Sequence, residues 1–94
     1  MKIRWSPTAV LDIESIRDYI AHDSPSAARR VSQTIKESVG RLRSFPLSGR
    51  VGRVPGTREL VIPGTSYIAA YKIDSDEVVI AAVLHGRQNW PKLF

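Results

Sequence analysis

The stretch "VVIAAVLH", residues 78–85, is apolar on both of the faces an extended chain presents. Successive side chains of a strand point to opposite sides, so an unbroken run of this kind presents apolar side chains to both. A run of this length without polar alternation belongs inside a sheet, with cover on both sides. The rest of the chain has to supply the neighbouring strands and a covering layer.

The neighbours lie just upstream. "SYIAAYKI" (66–73) places Tyr67, Ala69, Tyr71 and Ile73 on one face, and "DSDE" (74–77) turns it into the apolar run. "RELVI" (58–62) is a further strand, closed by "PGT" (63–65). Three strands joined by such short connections predict an antiparallel meander. At the other end "KIRW" (2–5) alternates, with Ile3 and Trp5 on one side, and reads as a first strand.

The covering layer comes from one start signal used twice. In "SPTA" (6–9) and "SPSA" (24–27), a serine stands where a helix N-cap accepts a backbone N–H. Proline follows at the first helical position, where its missing N–H costs nothing. Ala9, Ile13, Ile16 and Ile20 then form the apolar stripe of a helix over about 8–22, and its acids are expected to face solvent. Ala28, Val31, Ile35, Val39 and Leu42 form the stripe of a second helix, which ends at "FPLSG" (45–49). Arg29, Lys36 and Arg43 are seven residues apart and line up along one flank of it. His22, at the end of the first helix, suits the negative end of the helix dipole. The short turn between the helices predicts an antiparallel hairpin. The expected fold is a single α+β domain over 1–94 with the order β-αα-βββ, its helix hairpin packed on a small, mainly antiparallel sheet.

Composition excludes several chemistries. The 94 residues contain no cysteine, which removes disulfides and thiol catalysis, and the two histidines, His22 and His85, have no metal-ligand spacing. No metal and no cofactor are expected. No apolar run reaches the roughly 20 residues of a membrane span. "MKIRWSPTA" has no apolar core of a secretory signal, so a cytoplasmic location without membrane association is expected. The net charge of +5 is concentrated: residues 29–58 hold eight basic residues against Glu37 alone, whereas each flank has one more acid than base. Such a segment suits a polyanion or an acidic protein partner, and equally a solvated helix face plus a basic loop. "PLSGRVGRVPGT" (46–57) is read as that loop; it lacks the Gly-Lys-Ser/Thr ending of a phosphate-binding loop.

The groups left for chemistry are basic and aromatic. Arg58 opens the second strand, Tyr71 lies late in the third, His85 and Arg87 leave the last, and Arg50 and Arg53 sit in the loop. Arginines stabilise a pentavalent phosphate, and His or Tyr can shuttle its proton. The structural alternative is that His85 bonds a neighbouring backbone, Arg87 pairs with Glu59, Tyr67 and Tyr71 pack, and Trp90 folds the tail onto the core. No serine sits in a nucleophile-elbow sequence, so a serine triad is set aside.

Taken together, "IRWSPTAVLDIESIRDYIAHDSPSAARR", "FPLSGRVGRVPGTREL", "YIAAYKI" and "VLHGRQNWP" resemble toxins of the RelE/ParE superfamily of bacterial type II toxin–antitoxin modules, over nearly the whole chain. The resemblance implies a β-αα-βββ fold and a cognate antitoxin whose acidic segment neutralises the toxin; the basic column of Arg29, Lys36 and Arg43 is the contact expected for that segment. It also implies one of two targets. The ParE-like reading is poisoning of DNA gyrase without chemistry of its own. The RelE-like reading is cleavage of mRNA on the ribosome, with His85, Arg87, Arg58 and Tyr71 as the catalytic group. The arginine that RelE-like nucleases often carry after the third-strand tyrosine is Ile68 here, and "GRVPGTRE" is closer to the ParE branch. On either target, Arg50, Arg53, Arg58, Arg87 and Trp90 are the expected contacts. A plain nucleic-acid-binding module is a third reading.

Overall fold

The computed structural model describes all 94 residues, Met1–Phe94. The elements run β1 (Lys2–Trp5), α1 (Pro7–Ala21), α2 (Pro25–Gly40), a 3₁₀ turn (Arg41–Arg43), β2 (Arg50–Val51), β3 (Arg58–Val61), β4 (Tyr67–Asp74) and β5 (Glu77–His85). Both helix starts form as the sequence requires. Ser6 Oγ accepts the Ala9 N–H at 3.1 Å and Ser24 Oγ accepts that of Ala27 at 3.2 Å.

The sheet order is β1-β5-β4-β3-β2. β3, β4 and β5 form the antiparallel meander, and β1 joins β5 in parallel. The apolar run of β5 is therefore interior, with every residue from Val78 to Leu84 buried. Two expectations change. The segment read as a loop contributes a short fifth strand, β2, which pairs with β3. The second helix gives way at Gly40 to a 3₁₀ turn, before the Phe45–Pro46 stop.

One face of the sheet carries the helices. The core there joins Ala9 and Ile13 of α1, Ile35 and Val39 of α2, and Leu42 of the turn to Ala69, Tyr71, Val78, Ile80 and Val83 of the sheet. The register assigns the opposite face to Glu59, Ile68, Ala70, Ala82 and Leu84. The C-terminal tail crosses that face. Trp90 lies against Arg53, and Phe94 shares a surface cleft with Val79 and Ala81. A β-bulge at Ala81, between the Tyr71–Ile80 and Ala70–Ala82 pairs, separates the two ends of β5.

Beyond Ile80 the outer edge of β5 outruns β1, and side chains replace the missing strand. Ser6 Oγ donates to the Ala81 carbonyl at 2.9 Å, and Asp12 Oδ2 accepts the Val83 N–H at 2.9 Å. Asp12 thus does not face solvent as expected of the α1 acids. A buried N–H without a partner costs about 1–3 kcal/mol, which is the reason a carboxylate stands there. Burial raises the Asp12 carboxyl above its ordinary value, against the lowering effect of the Val83 hydrogen bond.

Candidate functional site

The structure divides the basic and aromatic candidates among four places, on two faces and at both ends of the sheet. Glu59 organises the first, on the face away from the helices. It is 3% exposed, and its carboxylate takes bonds from two loop arginines. Oε1 accepts from Arg50 Nη2 at 2.9 Å and Arg53 Nη2 at 3.2 Å, and Oε2 accepts from the Arg53 N–H at 2.7 Å and Nε at 3.1 Å. Burial pushes the Glu59 carboxyl up, but the hydrogen bonds and charge of Arg53 and Arg50 outweigh it and hold the group below its ordinary value. Arg53 then stacks on Trp90, its guanidinium carbon 3.7 Å from the ring centroid. Arg50, Arg53 and Trp90 are thereby brought together, while the expected Arg87–Glu59 pair does not form.

Arg58 is separated from this group by strand alternation. It pairs with Tyr71 on the helix side, and its guanidinium donates to the carbonyls of Gly49 (2.8 Å) and Leu47 (3.4 Å). Tyr71 is 0% exposed. Its hydroxyl donates to the Pro46 carbonyl at 2.8 Å and accepts the Gly49 N–H at 2.9 Å. Burial raises its pKa. Tyr71 is therefore a loop anchor and not a catalytic group: it is closed to substrate and both sides of its hydroxyl are used. Gly49 is required by that contact, since a Cβ there would come within 2.6 Å of the tyrosine ring and hydroxyl.

His85 stands at the far end of the sheet. Tyr67 pairs with it, whereas Tyr71 pairs with Ile80. Four residues of β4 separate those two tyrosines, which is about 13 Å along a strand. His85, Arg58 and Tyr71 therefore form no common catalytic group. His85 Nδ1 accepts the Arg87 N–H at 3.1 Å, and the ring meets Tyr67 edge to face with centroids 5.6 Å apart. Trp90 Nε1–H donates to the His85 carbonyl at 3.3 Å, folding the tail back. Arg87 is exposed and in no ion pair. Ile68, where an arginine would favour a nuclease, is 7% exposed on the helix-free face.

The flank column of α2 is also divided. Lys36 and Arg43 line a groove of about 440 Å³ with Arg17, Glu14 and the apolar side chains of Ile3, Trp5, Val10, Ile13 and Val39. Arg29, one step earlier in the column, does not line it. No three His, Asp or Glu side chains come together in a way that would hold a metal ion. No helix is long and apolar enough to cross a membrane.

Sequence reasoning missed three residues. Asp12 had a readable signal: it lies three residues after Ala9 and four before Ile16, at the border of the apolar stripe. Glu59 reads from the sequence as a partner for Arg87, and only the fold brings Arg50 and Arg53 over it instead. Tyr19 is 77% exposed, so no periodicity could mark it as part of a site.

These features define a small β-αα-βββ domain with a basic, partly apolar groove between its helices and β1, and a loop held by arginines on a buried carboxylate. The chain belongs to the family described as "ParE toxin of type II toxin-antitoxin system, parDE", whose model matches residues 3–90. It is similar to the putative toxin Y4kP of Sinorhizobium fredii, with 42% identity over 98% of this chain and 95% of that protein. A chain of the chromosomal ParDE TA system from P. aeruginosa superposes with a TM-score of 0.82 at 27% identity, covering 90% of this chain and 95% of that one. A chain of the RelBE2 toxin–antitoxin complex from Mycobacterium tuberculosis gives 0.59 at 26% identity, covering 89% and 95%. The protein is the toxin of a type II toxin–antitoxin system.

Proposed function

We propose that this toxin arrests growth in the cytoplasm by poisoning DNA gyrase, without catalysis of its own. The observation that carries the reading is the closeness to the ParDE chain, at a TM-score of 0.82 against 0.59 for the RelBE2 chain. The dispersal of His85, Arg58 and Tyr71 supports it. Purified toxin is expected to inhibit gyrase supercoiling or trap cleaved DNA, and expression of the chain alone to stop growth. Normal growth at confirmed expression would remove the toxin assignment as well as the target.

The second reading is a RelE-like ribosome-dependent mRNA endonuclease, favoured by His85 and Arg87 standing together at an accessible strand end. Primer extension on translating ribosomes that shows codon-specific cuts, lost in both His85→Ala and Arg87→Ala, would establish it in place of gyrase.

The cognate antitoxin is read as binding the α1–α2–β1 groove. Its apolar walls and three cations, Arg17, Lys36 and Arg43, against the single Glu14, suit an acidic amphipathic segment. Arg29 lies outside this contact.

A further inference from the structure

The short β1 leaves a second opening in the fold. Four residues of β1 flank nine of β5, and α1 covers the remaining edge only as far as the Asp12–Val83 bond. At His85 the tail takes over, with Gln88 Oε1 accepting the His85 N–H at 2.8 Å. Between the last turns of α1 and this end of the sheet lies a cleft of about 420 Å³. Its lining is Ser15, Ile16 and Tyr19 of α1 with Ser66, Tyr67, His85 and Gln88.

The chemistry of this lining is unusual for the molecule. In a chain that is 24% charged, none of the seven side chains is an Asp, Glu, Lys or Arg. The hydroxyls of Ser15, Tyr19, Ser66 and Tyr67 make no hydrogen bond within the protein, and neither does His85 Nε2, while Nδ1 accepts the Arg87 N–H. With Nδ1 accepting, the proton of the neutral ring lies on Nε2, which becomes a donor. Three aromatic rings thus stand beside a set of neutral donors and acceptors. Arg87, between two lining residues in the chain, is exposed and unpaired.

We propose that this cleft binds a nucleobase, stacked among Tyr19, Tyr67 and His85, with its 5′-phosphate on Arg87. An aromatic wall accepts the π-face of any base, and neutral hydrogen-bonding groups meet its edge. Ile16 alone is too small an aliphatic floor for the apolar side of a peptide helix. The absence of charge inside the cleft leaves Arg87 to hold the anion, and the net charge of +5 draws nucleic acid toward the protein. The site lies on the helix side of the sheet, away from the Arg50–Glu59–Arg53 cluster, and does not depend on whether gyrase or mRNA is the target.

Aromatic NMR signals of Tyr19, Tyr67 and His85 would be followed while AMP, UMP, adenosine, inorganic phosphate, a short single-stranded DNA and an acidic peptide are added separately. AMP and adenosine are expected to give saturable shifts. Tyr19→Ala, at a residue exposed enough to leave the fold intact, is expected to weaken both about tenfold. Arg87→Ala is expected to weaken AMP and leave adenosine unchanged. Tighter binding of the oligonucleotide than of AMP identifies single strands as the source of the base, and equal binding identifies free nucleotides; either upholds the site. No shift at millimolar AMP and saturating oligonucleotide overturns it. So does a response to inorganic phosphate equal to that of AMP, or one confined to the acidic peptide.

Discussion

Two carboxylates close the two weak points of this sheet, and they titrate in opposite directions. Asp12 reaches from α1 to the unpaired edge of β5 and meets one backbone N–H. Glu59, on the helix-free face, meets two guanidinium groups and a backbone N–H. Burial penalises the charge of both. A single amide does not offset it at Asp12, so that carboxyl is raised; two arginines more than offset it at Glu59, so that one is lowered. The balance between burial and the neighbours that offset it decides whether a carboxylate's charge helps this fold.

The largest expected effect comes from breaking the arginine side. Replacing both Arg50 and Arg53 by alanine leaves Glu59 with the backbone N–H of residue 53 and no cation, with an expected loss of about 3 kcal/mol in urea unfolding. A loss under about 1 kcal/mol would mean that water reaches Glu59. Next is Tyr71→Phe, which removes both bonds to the 46–49 segment and strands the Gly49 N–H. It is expected to cost about 2 kcal/mol and to raise amide exchange in the loop without altering the Arg–Glu59 contacts.

A smaller effect is expected in binding. Lys36→Glu with Arg43→Glu should slow antitoxin association about tenfold at low salt, much less at high salt, and leave stability unchanged. Arg29→Glu should do little. Equal effects at all three positions would return the whole column to the interface.

The smallest change sharpens the comparison most. Asp12→Asn keeps an acceptor for the Val83 N–H and removes the penalised charge, so stability at neutral pH should move by less than about 0.5 kcal/mol. The pH dependence separates the pair. The folded pKa of Glu59 is depressed, so its contribution is present above the ordinary 4.5 and is lost as pH falls through the folded value. The folded pKa of Asp12 is raised, so its favourable contribution is present below the ordinary 3.8 and is lost as pH rises through the folded value. Unfolding measured across pH 3–7 should give wild-type-minus-variant differences of opposite slope for Glu59→Gln and Asp12→Asn. Parallel slopes would contradict the opposite titration of the two groups.

The sequence by itself determined the element order, both helix starts and the interior position of 78–85. Those follow from local rules: serine before proline, a 3.6-residue stripe, an unbroken apolar run. It left two roles open for His85 and Trp90, a functional one and one in which His85 bonds a neighbouring backbone and Trp90 folds the tail inward. Only the tertiary structure decided which groups meet. Strand alternation sent Arg58 and Tyr71 to the helix side and Glu59 to the other, and the length of β4 parted Tyr71 from His85. A two-residue strand, β2, brought Arg50 and Arg53 onto Glu59, and the shortness of β1 gave Asp12 its partner and left the cleft beside Tyr19. Local pattern fixes which way a side chain faces only where an element is regular, as the bulge at Ala81 shows by reversing the alternation within β5; the meeting of side chains from different elements depends on register and relative strand length, which pattern does not contain.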